Sequence, residues 1–91
     1  MKIFQLLMEE VYYNSSIKVR MPEYIPTLAK DIMEHGMENP IIVIEEYDDS
    51  YLKCWKIISG VRRFEAQKLN NAKTIDALVI RDIRGKELVF Y

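Results

Sequence analysis

Hydrophobic positions change period several times along this chain, and each change marks an element. Ile25, Leu28, Ala29, Ile32 and Met33 recur at i, i+3, i+4, i+7 and i+8, which is an apolar stripe on a helix. Pro22 or Pro26 suits its first turn, His35 falls near its negative dipole end, and Gly36 reads as a left-handed cap. Ile41-Ile42-Val43-Ile44 is a continuous β-branched run of the kind found in strands covered on both faces. The acidic segment Glu45-Glu46-Tyr47-Asp48-Asp49-Ser50 reads as a turn, with Tyr51–Ile58 returning as the hairpin partner. A second helix is expected from about Val61 to Asn70, with Phe64, Ala66 and Leu69 inward and Gln67 and Lys68 outward. Asn70-Asn71 can end it, because Asn tolerates the left-handed conformation.

The remaining segments read as extended. Lys2–Leu7 is a first strand, and Met8–Arg20 is extended around an Asn14-Ser15-Ser16 turn. Thr74–Ile80 is a further strand, expected to be central, and Arg81–Lys86 is a polar turn. Glu87–Tyr91 is apolar and suits an edge strand, a helix start or a contact with a partner. This order predicts one α+β domain over residues 1–91, with a small mixed sheet of about four to five strands packed by two main helices.

Composition narrows the function classes. A hydrophobic share of 49% with 30% charged residues is that of a soluble globular domain. No apolar run approaches the roughly 20 residues that span a bilayer. The Ile3–Met8 patch, interrupted by Gln5, makes a poor signal peptide, so a cytoplasmic location without membrane contact is expected.

The net charge of −1 conceals an asymmetry: residues 1–49 carry 4 basic and 10 acidic side chains, residues 50–91 carry 9 and 4. DNA binding through a broad basic face is therefore disfavoured. A local basic site in the second half remains open, as does association of one half with the opposite half of another copy. Cys54 and His35 are single, which excludes an intrachain disulfide and a zinc site of ordinary spacing. The acidic hairpin tip lacks the glycine and ligand alternation of a calcium loop and reads as a solvated turn, so no metal site is assigned.

Ile57-Ile58-Ser59-Gly60-Val61-Arg62-Arg63-Phe64-Glu65-Ala66 carries the chemistry. A buried strand stops at Ser59-Gly60 and passes directly into a helix. The first amides of a helix have no internal partner and lie at the positive end of its dipole. Glycine lets an oxyanion approach the backbone, and Arg62 and Arg63 add permanent charge suited to phosphate or carboxylate. The alternative is a tight turn followed by two solvated arginines. Residue chemistry alone leaves the two readings level.

Two segments together resemble the ParB-like N-terminal domains of the ParB/sulfiredoxin superfamily. Leu28–Val43 is similar to the first family box, L-A-x-S-I-x-x-x-G-x-x-x-P-I-x-V, and Ile57–Ala66 to the second, I-x-x-G-E-R-R-x-x-A. The resemblance covers about residues 17–82 and implies the superfamily fold. It also implies that Ser59, Gly60, Val61, Arg62 and Arg63 hold nucleotide phosphates, with the nucleoside near Gly36, Asn39, Pro40 and Ile41. The nucleotide would be CTP, as in ParB proteins, or ATP or ADP, with magnesium.

Departures from the family pattern limit the activity. Val61 replaces the family glutamate, and it also stands where sulfiredoxins carry their catalytic cysteine, which excludes that chemistry. ParB proteins continue into a magnesium-binding helix, a helix-turn-helix reader and a dimerisation region, all beyond Tyr91, so DNA contact is expected to be indirect or weak. Asp82 and Glu87 are the nearest acidic residues for a metal, with nothing to prefer either. The leading expectation is a nucleotide-sensing or adaptor domain acting in DNA partition, replication or regulation with a protein partner or as a homodimer. Alternatives are a pure interaction module, or a small enzyme (a free-amino-acid kinase or a nuclease) with Glu65 as the only nearby carboxylate base.

Overall fold

The computed structural model describes residues 2–48 and 51–80. In chain order the elements are β1 (Ile3–Leu7), β2 (Val11–Tyr12), α1 (Ile25–His35), β3 (Ile41–Asp48), β4 (Tyr51–Ser59), α2 (Val61–Leu69) and β5 (Thr74–Ile80). The strands form one sheet in the order β1-β5-β3-β4-β2. β1 runs antiparallel to β5, and β3 antiparallel to β4, whereas β3–β5 and β2–β4 are parallel. The expected mixed sheet and its two helices are thus present, with β5 an interior strand. α2 takes the chain from one side of β3 to the other, a crossover that lets β5 lie parallel to β3.

The core lies between the sheet and the helices. Ile41, Val43, Ile57, Ile75 and Ala77 of the strands pack with Val61 and Phe64 of α2. Ala29 and Ile32 of α1 meet Ala66 of α2, and the two alanines let the helices approach. Asn70 adds a polar tie, its Nδ2 donating to the Ala29 carbonyl at 3.0 Å. The Asn14 turn forms as read: its Oδ1 accepts from the Ser16 amide at 3.0 Å, and its carbonyl from the Ile17 amide at 3.0 Å.

Several expectations are corrected. The acidic segment is not a turn up to Asp48. Glu45 pairs with Trp55 and Glu46 with Cys54 inside β3–β4, because a well-formed ladder overrides the low strand preference of carboxylate residues. Ile41 and Val43 are fully buried but Ile42 and Ile44 are only half-buried, so β3 is sealed on one face. Met33 is 67% and Leu69 57% exposed: α1 and α2 meet through Ala29, Ile32 and Ala66, which leaves these two side chains outside the contact. Gly36 has φ 80° and ψ 168°, a positive-φ region open essentially to glycine alone rather than the left-handed cap. That cap geometry appears instead at Asn71, with φ 54°. Residues 81–91, including the polar turn, the apolar end, Asp82 and Glu87, lie outside the described residues.

Candidate functional site

β4 ends at Ser59, Gly60 takes φ 106° and ψ 26°, and α2 begins at Val61. The first helical hydrogen bond runs from the Phe64 amide to the Gly60 carbonyl at 3.0 Å. The amides of Val61, Arg62 and Arg63 therefore precede the helical ladder. A Cβ on Gly60 would lie 2.7 Å from Ile41 Cγ2, so the second-box turn rests directly on the first residue of β3. Contact at this distance is open only to glycine, and it joins the two boxes.

A cleft of about 890 Å³ opens at this junction. Ser59, Gly60, Val61, Arg62 and Arg63 form one wall, and Gly36, Asn39 and Pro40 line another. Arg62 is exposed at its rim. Val61 is 8% exposed and packs into the core, so it offers the cleft little beyond its backbone. Ile41, expected at the nucleoside end, is fully buried; its neighbour Ile42 lines the cleft instead, because strand alternation turns Ile41 to the core.

Sequence reasoning missed Lys18 and Arg20, which also line the cleft. The alternation Ile17-Lys18-Val19-Arg20 was the available signal: Ile17 and Val19 are half-buried, Lys18 and Arg20 exposed. Three exposed cations, Lys18, Arg20 and Arg62, thus share a concave surface with the half-buried Arg63, offset by Asp31 and Glu38. Asp31 also pairs with His35 at 3.2 Å on the exposed face of α1.

The two arginines have different surroundings. Arg63 Nη1 donates to the carbonyl oxygens of Asn39 and Pro40, each at 2.9 Å. Burial and the charge of Arg62 lower the Arg63 pKa from its ordinary value.

Glu65 does not lie beside the arginines in the cleft, which corrects its candidacy as a base. Its Oε1 accepts from the Tyr13 hydroxyl at 2.6 Å, and its Oε2 lies 3.6 Å from Lys68 Nζ. Tyr13 also meets the Phe64 ring edge-on, with centroids 6.1 Å apart. The helical turn directs Glu65 toward the Met8–Tyr13 side of α2, so no carboxylate in the cleft comes from α2. Among the described residues no three His, Cys, Asp or Glu side chains are grouped to hold a metal ion. No helix among them is long and apolar enough to cross a membrane.

A mixed five-stranded sheet with its strand–glycine–helix turn seated on the first-box strand defines an α+β domain of the ParB/sulfiredoxin fold. The ParB N-terminal domain profile matches residues 2–89, and the chain belongs to that family. A probable chromosome-partitioning protein ParB of Helicobacter pylori is 33% identical over 89 residues, covering 96% of this chain and 29% of that protein.

Among solved structures, the C-terminally truncated chromosome-partitioning protein ParB of Caulobacter crescentus complexed with CTP-γ-S superposes with a TM-score of 0.73. It is 21% identical, over 92% of this chain and 47% of that one. The same protein complexed to the centromeric parS site gives a TM-score of 0.70 at 24% identity, over 86% and 40% of the two chains. Sulfiredoxin from Arabidopsis thaliana gives 0.70 at 23% identity, over 90% and 88%. The chain spans less than half the length of the ParB proteins it matches.

Proposed function

We propose that this domain is a nucleotide-binding adaptor of the ParB type, acting in the cytoplasm with a partner in DNA partition or its regulation. The observation that carries this reading is the convergence of both family boxes on one cleft. Helix-start amides and Arg62 form its anion-facing side, Lys18 and Arg20 add charge, and Gly36, Asn39 and Pro40 complete the lining. The likeness to a ParB protein crystallised with CTP-γ-S makes CTP the first ligand to test, with ATP and ADP as comparisons. Sequence-specific DNA reading is assigned to another segment or polypeptide.

The test is thermal denaturation with millimolar CTP, ATP or ADP, each with and without magnesium. A ligand at a hundred times its dissociation constant stabilises the fold by about 2.7 kcal/mol. The expected result is a raised Tm with at least one nucleotide, weakened in Arg62→Ala and in a Lys18→Ala/Arg20→Ala double variant. No shift with any of the three excludes the reading.

A further inference from the structure

Arg63 is committed within the fold. Its Nη1 donates to two consecutive carbonyls, Asn39 and Pro40, at the end of the loop that leads from α1 into β3. Met37 packs the start of the loop against both hydrophobic clusters, but the loop backbone is sparsely hydrogen-bonded. Gly36 donates to Ile32 at 2.7 Å, and among the described residues no further backbone hydrogen bond outside the helices and strands involves Met37, Glu38, Asn39 or Pro40. Pro40 has no amide to contribute. The same guanidinium packs against the turn, its Nη2 lying 3.1 Å from where a Cβ on Gly60 would stand. Arg62 contrasts in every respect: it is exposed, and among the described residues it has no hydrogen-bond or ion-pair partner.

We infer that the two adjacent arginines divide the cleft between them, Arg62 facing the phosphates and Arg63 acting as a positioning residue that holds the Asn39–Pro40 wall against which the nucleoside end of the ligand lies. This rests on the nucleotide reading above. Nη1, held by two carbonyls, is engaged with the loop rather than with a phosphate oxygen, while Nη2 lies at the Gly60 turn. Releasing the carbonyls would leave the Asn39–Pro40 end of the loop, beyond the packed Met37 side chain, without a side-chain hydrogen bond. Arg63 therefore acts on the ligand first through the shape of the loop, a contribution common to ligands with any number of phosphates, and its half-buried charge adds a smaller part that grows with them. The contribution of Arg62, a charge facing the anion, grows with each phosphate.

The test is calorimetric titration of wild type, Arg62→Ala and Arg63→Ala with the cytidine mono-, di- and triphosphates. Arg63→Ala is expected to weaken all three by about tenfold, the scale of losing hydrogen bonds from a charged donor, with a smaller increase per phosphate than in Arg62→Ala. Low-millimolar guanidinium should restore binding. Arg62→Ala is expected to lose more with each added phosphate. A loss in Arg63→Ala that grows with phosphate number as steeply as in Arg62→Ala, or no loss, overturns the inference.

Should Arg63→Ala not fold, Arg63→Lys serves in its place. It keeps the charge without the planar fork, and wild-type affinity for all three ligands in that variant overturns the inference. If wild type binds none of the three, cytidine nucleotides are excluded as the ligand and the role of Arg63 is judged on the unliganded chain. Amide exchange at Asn39 and Ile41 about tenfold faster in Arg63→Ala than in Arg62→Ala, and slowed by guanidinium, supports the positioning role. Equal exchange rejects it.

Discussion

Gly60 lies so close to Ile41 that a Cβ built on the glycine would stand 2.7 Å from the isoleucine Cγ2 and 3.0 Å from its Cβ. Ile41 is fully buried at the start of β3 and has nowhere to retreat. Gly60→Ala therefore combines a strained φ of 106° with overpacking of the core. Each effect costs on the order of 1–3 kcal/mol, and together they are expected to destabilise by about 3 kcal/mol. Urea denaturation checks this through a lower midpoint at unchanged slope. A variant as stable as wild type would mean that β4 and α2 join differently from the geometry described.

The arginines should separate in stability as well as in ligand response. Arg63→Ala leaves the Asn39 and Pro40 carbonyls without their donor, a loss of about 2 kcal/mol, or roughly 10 °C in Tm for a domain of this size. Arg62→Ala removes an exposed side chain and should stay within about 0.5 kcal/mol of wild type. Thermal melts without ligand distinguish the two; equal losses would contradict the different surroundings of the side chains.

Tyr13 has its pKa pushed up to about 12, first by its hydrogen bond to Glu65, then by burial and by the carboxylate's charge. The folded value lies above the ordinary 10.0, so the stabilising contribution of the neutral hydroxyl is complete below pH 10 and is lost as pH rises through about 12. Glu65→Gln keeps an acceptor but removes the charge. The expected outcome is a Tyr13 titration moved back toward 10.0 in near-ultraviolet absorbance, and a shallower alkaline loss of stability. Nucleotide affinity should be unchanged, because Glu65 lies off the cleft. A large loss of affinity in this variant would restore Glu65 to the site.

Asn70 ties α2 to α1 through the Ala29 carbonyl, in a contact that otherwise rests on the apolar packing of Ala29, Ile32 and Ala66. Asn70→Ala should cost about 1 kcal/mol. Amide exchange should rise in both helices, since one bond couples them. A rise confined to α2 would show that α1 does not depend on this tie.

Much of the architecture was legible in the chain. The helical stripe from Ile25 to Met33, the β-branched run from Ile41 and the passage from Ile58 through Gly60 into α2 all follow from local periodicity and backbone freedom, which act over a few residues. The family boxes located the cleft because the glycine that permits the turn is also the residue that must touch β3.

Tertiary structure decided what each polar side chain does. Arg62 and Arg63 look equivalent in sequence, yet neighbours on a helix project about 100° apart, so one faces solvent and the other reaches carbonyls in a loop more than twenty residues upstream. The same rotation gives Glu65 to Tyr13 rather than to the cleft. It leaves Leu69 exposed, and strand alternation turns Ile41 inward and Ile42 outward. Periodicity specifies which elements form; the phase at which they dock depends on packing between residues distant in the chain, and that phase determines which charge remains available to a ligand.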